Sequence, residues 1–214
     1  MSDVDCQLYV ILPADAKPEL ERLLVRAFSE SDIACILLQT DGGQLDNVEL
    51  AARINEAAHD HQVAFLIEDD AEAAKKIGAA GVHLSREQTA DESSYQIARN
   101  VLGTEAIIGG DCGSSRHSAM VLGEQGADYV AFSSSPASHA PDTESPDELI
   151  AWWAEMFEVP SVIWQIETPN DAENAARLGA DFVALNAEIW RNGEDALKTI
   201  KSIQDRLAAI KSSN

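Results

Sequence analysis

Positive charge is scarce in this chain. Its 214 residues carry 15 Lys and Arg against 37 Asp and Glu, a formal net charge of −22 at pH 7. Bulk electrostatics of that sign excludes nucleic acid and anionic membrane surfaces as partners and gives a well-solvated surface. Cysteine is scarce as well. Cys6, Cys35 and Cys112 form no Cys-x-x-Cys pair and are too scattered for a disulfide framework, so reduced thiols in the cytoplasm are expected. No apolar run approaches the ~20 residues that a membrane helix needs. The acidic start, Met1-Ser2-Asp3-Val4-Asp5, is unlike a signal peptide. No linker or low-complexity block divides the chain, which predicts one domain over residues 1–214 with its core between 5 and 210.

A short phrase is present three times: Gly78-Ala79-Ala80-Gly81-Val82-His83-Leu84, then Gly126-Ala127-Asp128-Tyr129-Val130-Ala131-Phe132, then Gly179-Ala180-Asp181-Phe182-Val183-Ala184-Leu185. In each, a glycine suits the left-handed end of a helix, small residues allow close packing, and a β-rich apolar run reads as a buried strand. Repeated helix, tight turn and buried strand make a βα architecture.

The rest of the chain fills in around the repeats. Strands are expected at Cys6 to Leu12, Ile33 to Leu38, Val63 to Ile67, Gly81 to Leu84, Ala106 to Ile108, Tyr129 to Phe132, within Val159 to Ile166, and at Phe182 to Leu185. Between them run helical periodicities, with Pro18 in the first turn of the first, Asp46 as a candidate N-cap of the second, and Thr168-Pro169 opening the seventh. The run from Gly109 to Ser115 reads as a flexible turn, and Ser133 to Ser145 as the longest loop, either a mobile lid or a remnant. Trp152 and Trp153 read as packing residues of a helix, with a partner interface as the alternative. Eight strands, each followed by a helix, predict an α/β fold, a single-domain (β/α)8 TIM barrel with its chemistry at the C-terminal ends of the strands. An open doubly wound sheet is the alternative, but no Gly-x-Gly-x-x-Gly follows the first strand.

Several segments together resemble the thiamine phosphate synthase and TenI-like family. They are Leu8 to Leu12, the stretch from Phe65 to Gln88, Ile107 to Ser115, and the last two glycine-led repeats. The resemblance covers nearly the whole chain in order. It implies a (β/α)8 barrel, a small-molecule ligand and a homo-oligomer. The implied reaction joins hydroxymethylpyrimidine diphosphate to thiazole phosphate with Mg²⁺ bridging the leaving diphosphate.

The residues that such a reaction needs are largely replaced. Where the family carries Gln-x-Arg-x-Lys after the second strand, this chain has no Lys or Arg between Arg26 and Arg53, and Gln39 stands at the Gln or the Arg. The metal-binding Asp matches Asp69, but the second, five residues beyond the His of strand four (His83), is Gln88, with Glu87 and Asp91 off the spacing. Cys112 and Ser114 stand at the family's Ser and His after strand five. No lysine lies between Lys76 and Lys198, and the Gly-Gly turn after strand seven is matched by Gln165 and Ile166.

The candidate substrate-binding residues are therefore Gln39, His83, Arg86, Cys112 and Ser114, and the candidate Mg²⁺ ligand is Asp69. Each has a plainer reading. Asp69 suits a helix N-terminus, and His83 suits a hydrogen-bonded place inside a buried strand. Cys112, with Asp111 and His117 near in sequence, can be read as a nucleophile or as packing. Arg86 and Arg116 can hold a small anion or pair with surface acids. Three functions follow: a family member with lost or reduced transferase activity, an active synthase with altered residues, or an isomerase of the TenI kind.

Overall fold

The computed structural model describes residues 5–134 and 144–211. Its elements run β1 (Gln7–Leu12), α1 (Pro18–Glu30), β2 (Ile33–Leu38), α2 (Val48–Asp60), β3 (Ala64–Glu68), α3 (Ala71–Ile77), β4 (Gly81–Leu84), α4 (Arg86–Thr89) and α5 (Ser93–Leu102). They continue with β5 (Ile107–Asp111), α6 (Arg116–Glu124), β6 (Tyr129–Phe132), α7 (Pro146–Met156), β7 (Ser161–Ile166), α8 (Pro169–Leu178), β8 (Phe182–Leu185), a 3₁₀ turn (Ala187–Asn192) and α9 (Asp195–Lys211). Every strand pairs in parallel with the next, and β8 closes on β1, so the sheet is a barrel. The expected (β/α)8 fold is observed.

Strand periodicity sorts the core into two layers. Inward positions such as Tyr9, Cys35, Leu37, Leu66, Tyr129, Ala131, Val162 and Ala184 pack together inside the barrel. Outward positions such as Leu8, Val10, Ile36, Phe65, Ile67, Val82, Ile108 and Val130 pack under the helices. The repeated phrase does what its residues dictate: Gly78, Gly126 and Gly179 follow helices at φ +68°, +93° and +99°, where a side chain would be strained. Thr168 caps α8 with a reciprocal capping box: its hydroxyl accepts from the Asp171 N–H while the Asp171 carboxylate accepts from the Thr168 N–H. Trp153 is buried, with its indole N–H donating to the Val159 carbonyl at 2.7 Å, and Trp152 lies half-buried beneath the Arg116 guanidinium. Both act in packing.

Four local expectations are corrected. The cap of α2 is Asn47, whose side chain accepts from the Leu50 N–H, and not Asp46. The helix after β4 is broken into α4 and α5. Gly109, Gly110 and Asp111 are the end of β5 and not a turn. They are glycines for lack of room: a Cβ on Gly109 would lie 2.3 Å from the Tyr129 ring, and one on Gly110 would lie 2.5 Å from the Thr89 methyl. Asp70 caps α3 by accepting from the Ala73 N–H, the part assigned above to Asp69. The lid-or-remnant loop after β6 falls largely on residues 135–143, outside the described residues.

Candidate functional site

The alternation that fills the barrel also builds its mouth. One step beyond the packed inward positions lie Ile11 on β1, Gln39 after β2, Glu68 on β3, Asp111 on β5, Ser133 after β6, Trp164 on β7 and Asn186 after β8. With His83, Ser85, Arg86, Ser134 and Gln165 they line a cavity of about 270 Å³ at the C-terminal end of the strands. That volume is near the lower end for small-molecule pockets.

The floor is aromatic and hydrogen-bonded. The Tyr9 and Tyr129 hydroxyls are 3.1 Å apart, and the Tyr129 hydroxyl is 2.7 Å from His83 Nδ1. The His83 ring stacks on Tyr129 and meets the Trp164 indole edge-on at 4.9 Å. Only 1 % of His83 is exposed, and burial pushes its pKa down to about 3, so the imidazole is neutral. The Tyr9, Tyr129 and His83 groups thus form one buried hydrogen-bonded chain, in which the imidazole tautomer sets the direction of each bond. The other ring nitrogen, Nε2, makes no hydrogen bond among the described residues.

The walls are acidic. Burial raises the pKa of Glu68 above its ordinary range, opposed by the Thr40 N–H that donates to its carboxylate at 3.1 Å and helped by Asp69 and Asp111. Burial also raises Asp111, opposed by the Gly113 N–H at 2.7 Å, the Ser133 hydroxyl at 2.8 Å and the Arg86 charge. Arg86 is the one Lys or Arg among the residues that line the cavity. Its guanidinium lies over Gly113, in the space that a Cβ there would fill. It makes no hydrogen bond or ion pair among the described residues. Residues 135–143 contain neither Lys nor Arg.

Gln39, His83 and Arg86 are thus brought together in the cavity. Asp69, Cys112 and Ser114 are not among its lining residues. Cys112 is 2 % exposed, packs in the layer under the helices and contacts the Gly110 carbonyl; burial pushes its thiol up to about 12. A buried, protonated thiol facing away from the cavity neither attacks nor binds a ligand there. Ser114 lies in the turn before α6, and the residue that caps that helix is its neighbour Ser115.

Asp69 sits at φ +56° and its carboxylate accepts from the Ser85 N–H at 2.7 Å, tying the end of β3 to the end of β4. A Mg²⁺ ion prefers several oxygen ligands in octahedral array. Asp69 offers it a single carboxylate already holding a backbone N–H, and the position five residues beyond His83 is Gln88, bonded to the Ser94 hydroxyl. No group of three or more His, Cys, Asp or Glu among the described residues is arranged to hold a metal. These residues do not fit a resident Mg²⁺.

Trp164, Asn186 and the walls Glu68 and Asp111 escaped the loop motifs, although continuing the period of two by one step past each strand finds them. Gln165 keeps the left-handed backbone that glycine adopts freely, at φ +65°, where the register of β7 against β8 slips. Its side chain accepts from the Ser134 hydroxyl. Among the described residues no helix is long and apolar enough to cross a membrane.

Comparison with known proteins bears on this site. The family described as Thiamine monophosphate synthase matches residues 8–189. A thiamine-phosphate synthase of Erythrobacter litoralis is 37 % identical over 218 residues, covering 97 % of this chain and 98 % of its own. One of Rhodospirillum centenum is 36 % identical, covering 88 % of this chain and 91 % of its own. Among solved structures, a thiamine phosphate pyrophosphorylase from Pyrococcus furiosus superposes with a TM-score of 0.77 at 21 % identity, covering 97 % of this chain and 98 % of its own. At that identity the superposition speaks for the fold.

Proposed function

Because the chain belongs to the thiamine monophosphate synthase family, we propose that it is a diverged member whose transfer of hydroxymethylpyrimidine diphosphate onto thiazole phosphate is lost or strongly reduced, and that its cavity still binds a small molecule. The observation that carries this reading is the wall of the cavity: Glu68 and Asp111 face a ligand with Arg86 as the one counter-charge. Diphosphate transfer relies on cations and N–H groups aimed at developing negative charge. A carboxylate beside phosphate opposes binding by on the order of 1–4 kcal/mol per charge pair. Two such pairs against one guanidinium disfavour a polyanion on balance. The family reaction uses Mg²⁺, and here the ion has no second carboxylate at the family spacing. The protein is read as cytoplasmic, as its few scattered thiols suggest, and as a homo-oligomer, as the family resemblance implies.

The relatives at 36–37 % identity are named as synthases, which favours a second reading, an active enzyme with altered binding residues. A direct assay separates the two. Purified protein, Mg²⁺, hydroxymethylpyrimidine diphosphate and thiazole phosphate are combined, and thiamine phosphate is sought by chromatography. The first reading expects no enzyme-dependent product and no heat of binding with either substrate. Product that vanishes with Asp69→Ala overturns it and restores the synthase.

A further inference from the structure

The chain has a single Asn-Gly step, Asn192-Gly193, at the joint between the 3₁₀ turn and α9. The other asparagines among the described residues are held by side-chain hydrogen bonds. Asn47 and Asn186 cap helical turns, Asn55 donates to the Ile77 carbonyl, Asn100 accepts from Gln96, Asn170 accepts from Arg206, and Asn174 donates to Asp147. Each of them also precedes a residue with a side chain. Asn192 differs on both counts. Its carboxamide makes no hydrogen bond among the described residues, and it is exposed to water. The space that a Cβ on Gly193 would fill is open, and the backbone there has φ +54°. The Gly193 nitrogen is held by one hydrogen bond, its N–H donating to the Trp190 carbonyl at 3.2 Å, the long end for such a bond.

We propose that Asn192 is a modification site at which the chain converts its own amide to a carboxylate through a cyclic imide. Asparagine is among the thermolabile residues. The Gly193 nitrogen attacks Asn192 Cγ. The N–Cγ bond forms, the Cγ–Nδ2 bond breaks, and the amide nitrogen leaves as ammonia with the proton given up by Gly193. Water then opens the ring at Cγ to give aspartate, or at the main-chain carbonyl to give isoaspartate with one more carbon in the backbone. In sequence the new charge falls between two ion pairs, Glu188 with Arg191 and Glu194 with Arg26, the second of which ties α1 to the start of α9. Isoaspartate lengthens the joint behind Trp190, whose indole N–H holds the Ile11 carbonyl of β1 at 2.9 Å.

Ageing the purified full-length protein at pH 6 and pH 8, then digesting it in acid and weighing the peptides, tests the assignment. Conversion is expected at Asn192 alone, with isoaspartate exceeding aspartate, and faster at pH 8, because the attacking nitrogen gives up a proton. The native rate should lie within about tenfold of the rate in urea-unfolded protein, the factor that one ordinary backbone hydrogen bond allows. Asn192→Gln, a change at an exposed position, should abolish the product, because its longer side chain closes a larger ring far more slowly. A native rate lower than that by more than the same factor of about ten, equal conversion at Asn55 or Asn174, or product that persists in Asn192→Gln would each overturn the proposal.

Discussion

Replacing Gly109 by alanine should be costly for a reason that lies in another strand. The new Cβ would stand 2.3 Å from Tyr129 Cε1, 2.4 Å from Cζ and 2.5 Å from Cδ1, whereas carbon atoms settle at about 3.5–4.0 Å. The ring must move by about 1 Å or more. Overpacking of this kind costs ~1–3 kcal/mol. The displaced hydroxyl would also loosen its bonds to His83 and Tyr9, at about 1 kcal/mol each. Alanine returns ~0.4–1 kcal/mol by restricting the unfolded chain, because Gly109 is not at positive φ. The net expectation is a loss of about 2–4 kcal/mol, large against the usual 5–15 kcal/mol of total stability. Urea unfolding would show it as a lower midpoint with unchanged slope. The decisive step is a double-mutant cycle with Tyr129→Ala. Without the ring, Gly109→Ala should be nearly neutral, giving a coupling of about 2–4 kcal/mol. A loss below about 1 kcal/mol, or simple additivity with Tyr129→Ala, would refute steric exclusion and return the glycine to a turn-forming part.

Other consequences are as open to measurement. Thr168→Ala removes half of the capping box on α8 and should cost ~0.5–2 kcal/mol in the same urea experiment. Glu68 has a folded pKa raised above its ordinary 4.5, so its stabilising contribution is present below that value and is lost as pH rises through the folded pKa. Glu68→Gln, which keeps an oxygen for the Thr40 N–H, should therefore melt higher than the parent at pH 8, with the gap closing near pH 4; a gap that widens in acid would contradict the burial argument. His83, which burial holds at a pKa of about 3, should stay neutral from pH 5 to 8, as its nitrogen chemical shifts can read directly; a titration near pH 6.5 would show the floor to be wet.

The parts of the fold that depend on local chemistry were legible. The glycine-led phrase marked three helix-to-strand turns, Thr168-Pro169 marked a helix start, and β2, β4, β6 and β8 run where their apolar runs lie. What was misread depends on distant neighbours. Gly109 and Gly110 look like a turn until Tyr129 from β6 and Thr89 from α4 occupy the space beside them. Cys112 read as part of a flexible Gly-rich turn, as nucleophile or as packing, and the continuation of β5 carries it into the packed layer beneath the helices. Asp46 and Asn47 can both cap a helix, and which of them does so is set by the register of the first turn. The acidic wall was within reach, because Glu68 and Asp111 continue the inward alternation of β3 and β5. Motif reading drew attention instead to loop residues such as Ser114, which is not among the residues that line the cavity.

Trp164 gives the cavity an optical character. Of the four tryptophans, Trp153 and Trp190 are buried with their indole N–H groups committed to the Val159 and Ile11 carbonyls, and Trp152 lies under Arg116. Their emission belongs to the packed shell and should hardly change when the mouth fills. Trp164 alone borders the cavity, edge-on to a neutral imidazole and to Tyr9. Its fluorescence is thus a built-in gauge of occupancy. With Trp164→Phe as the blank, a library of unlabelled compounds can be screened by light alone, before any ligand is known.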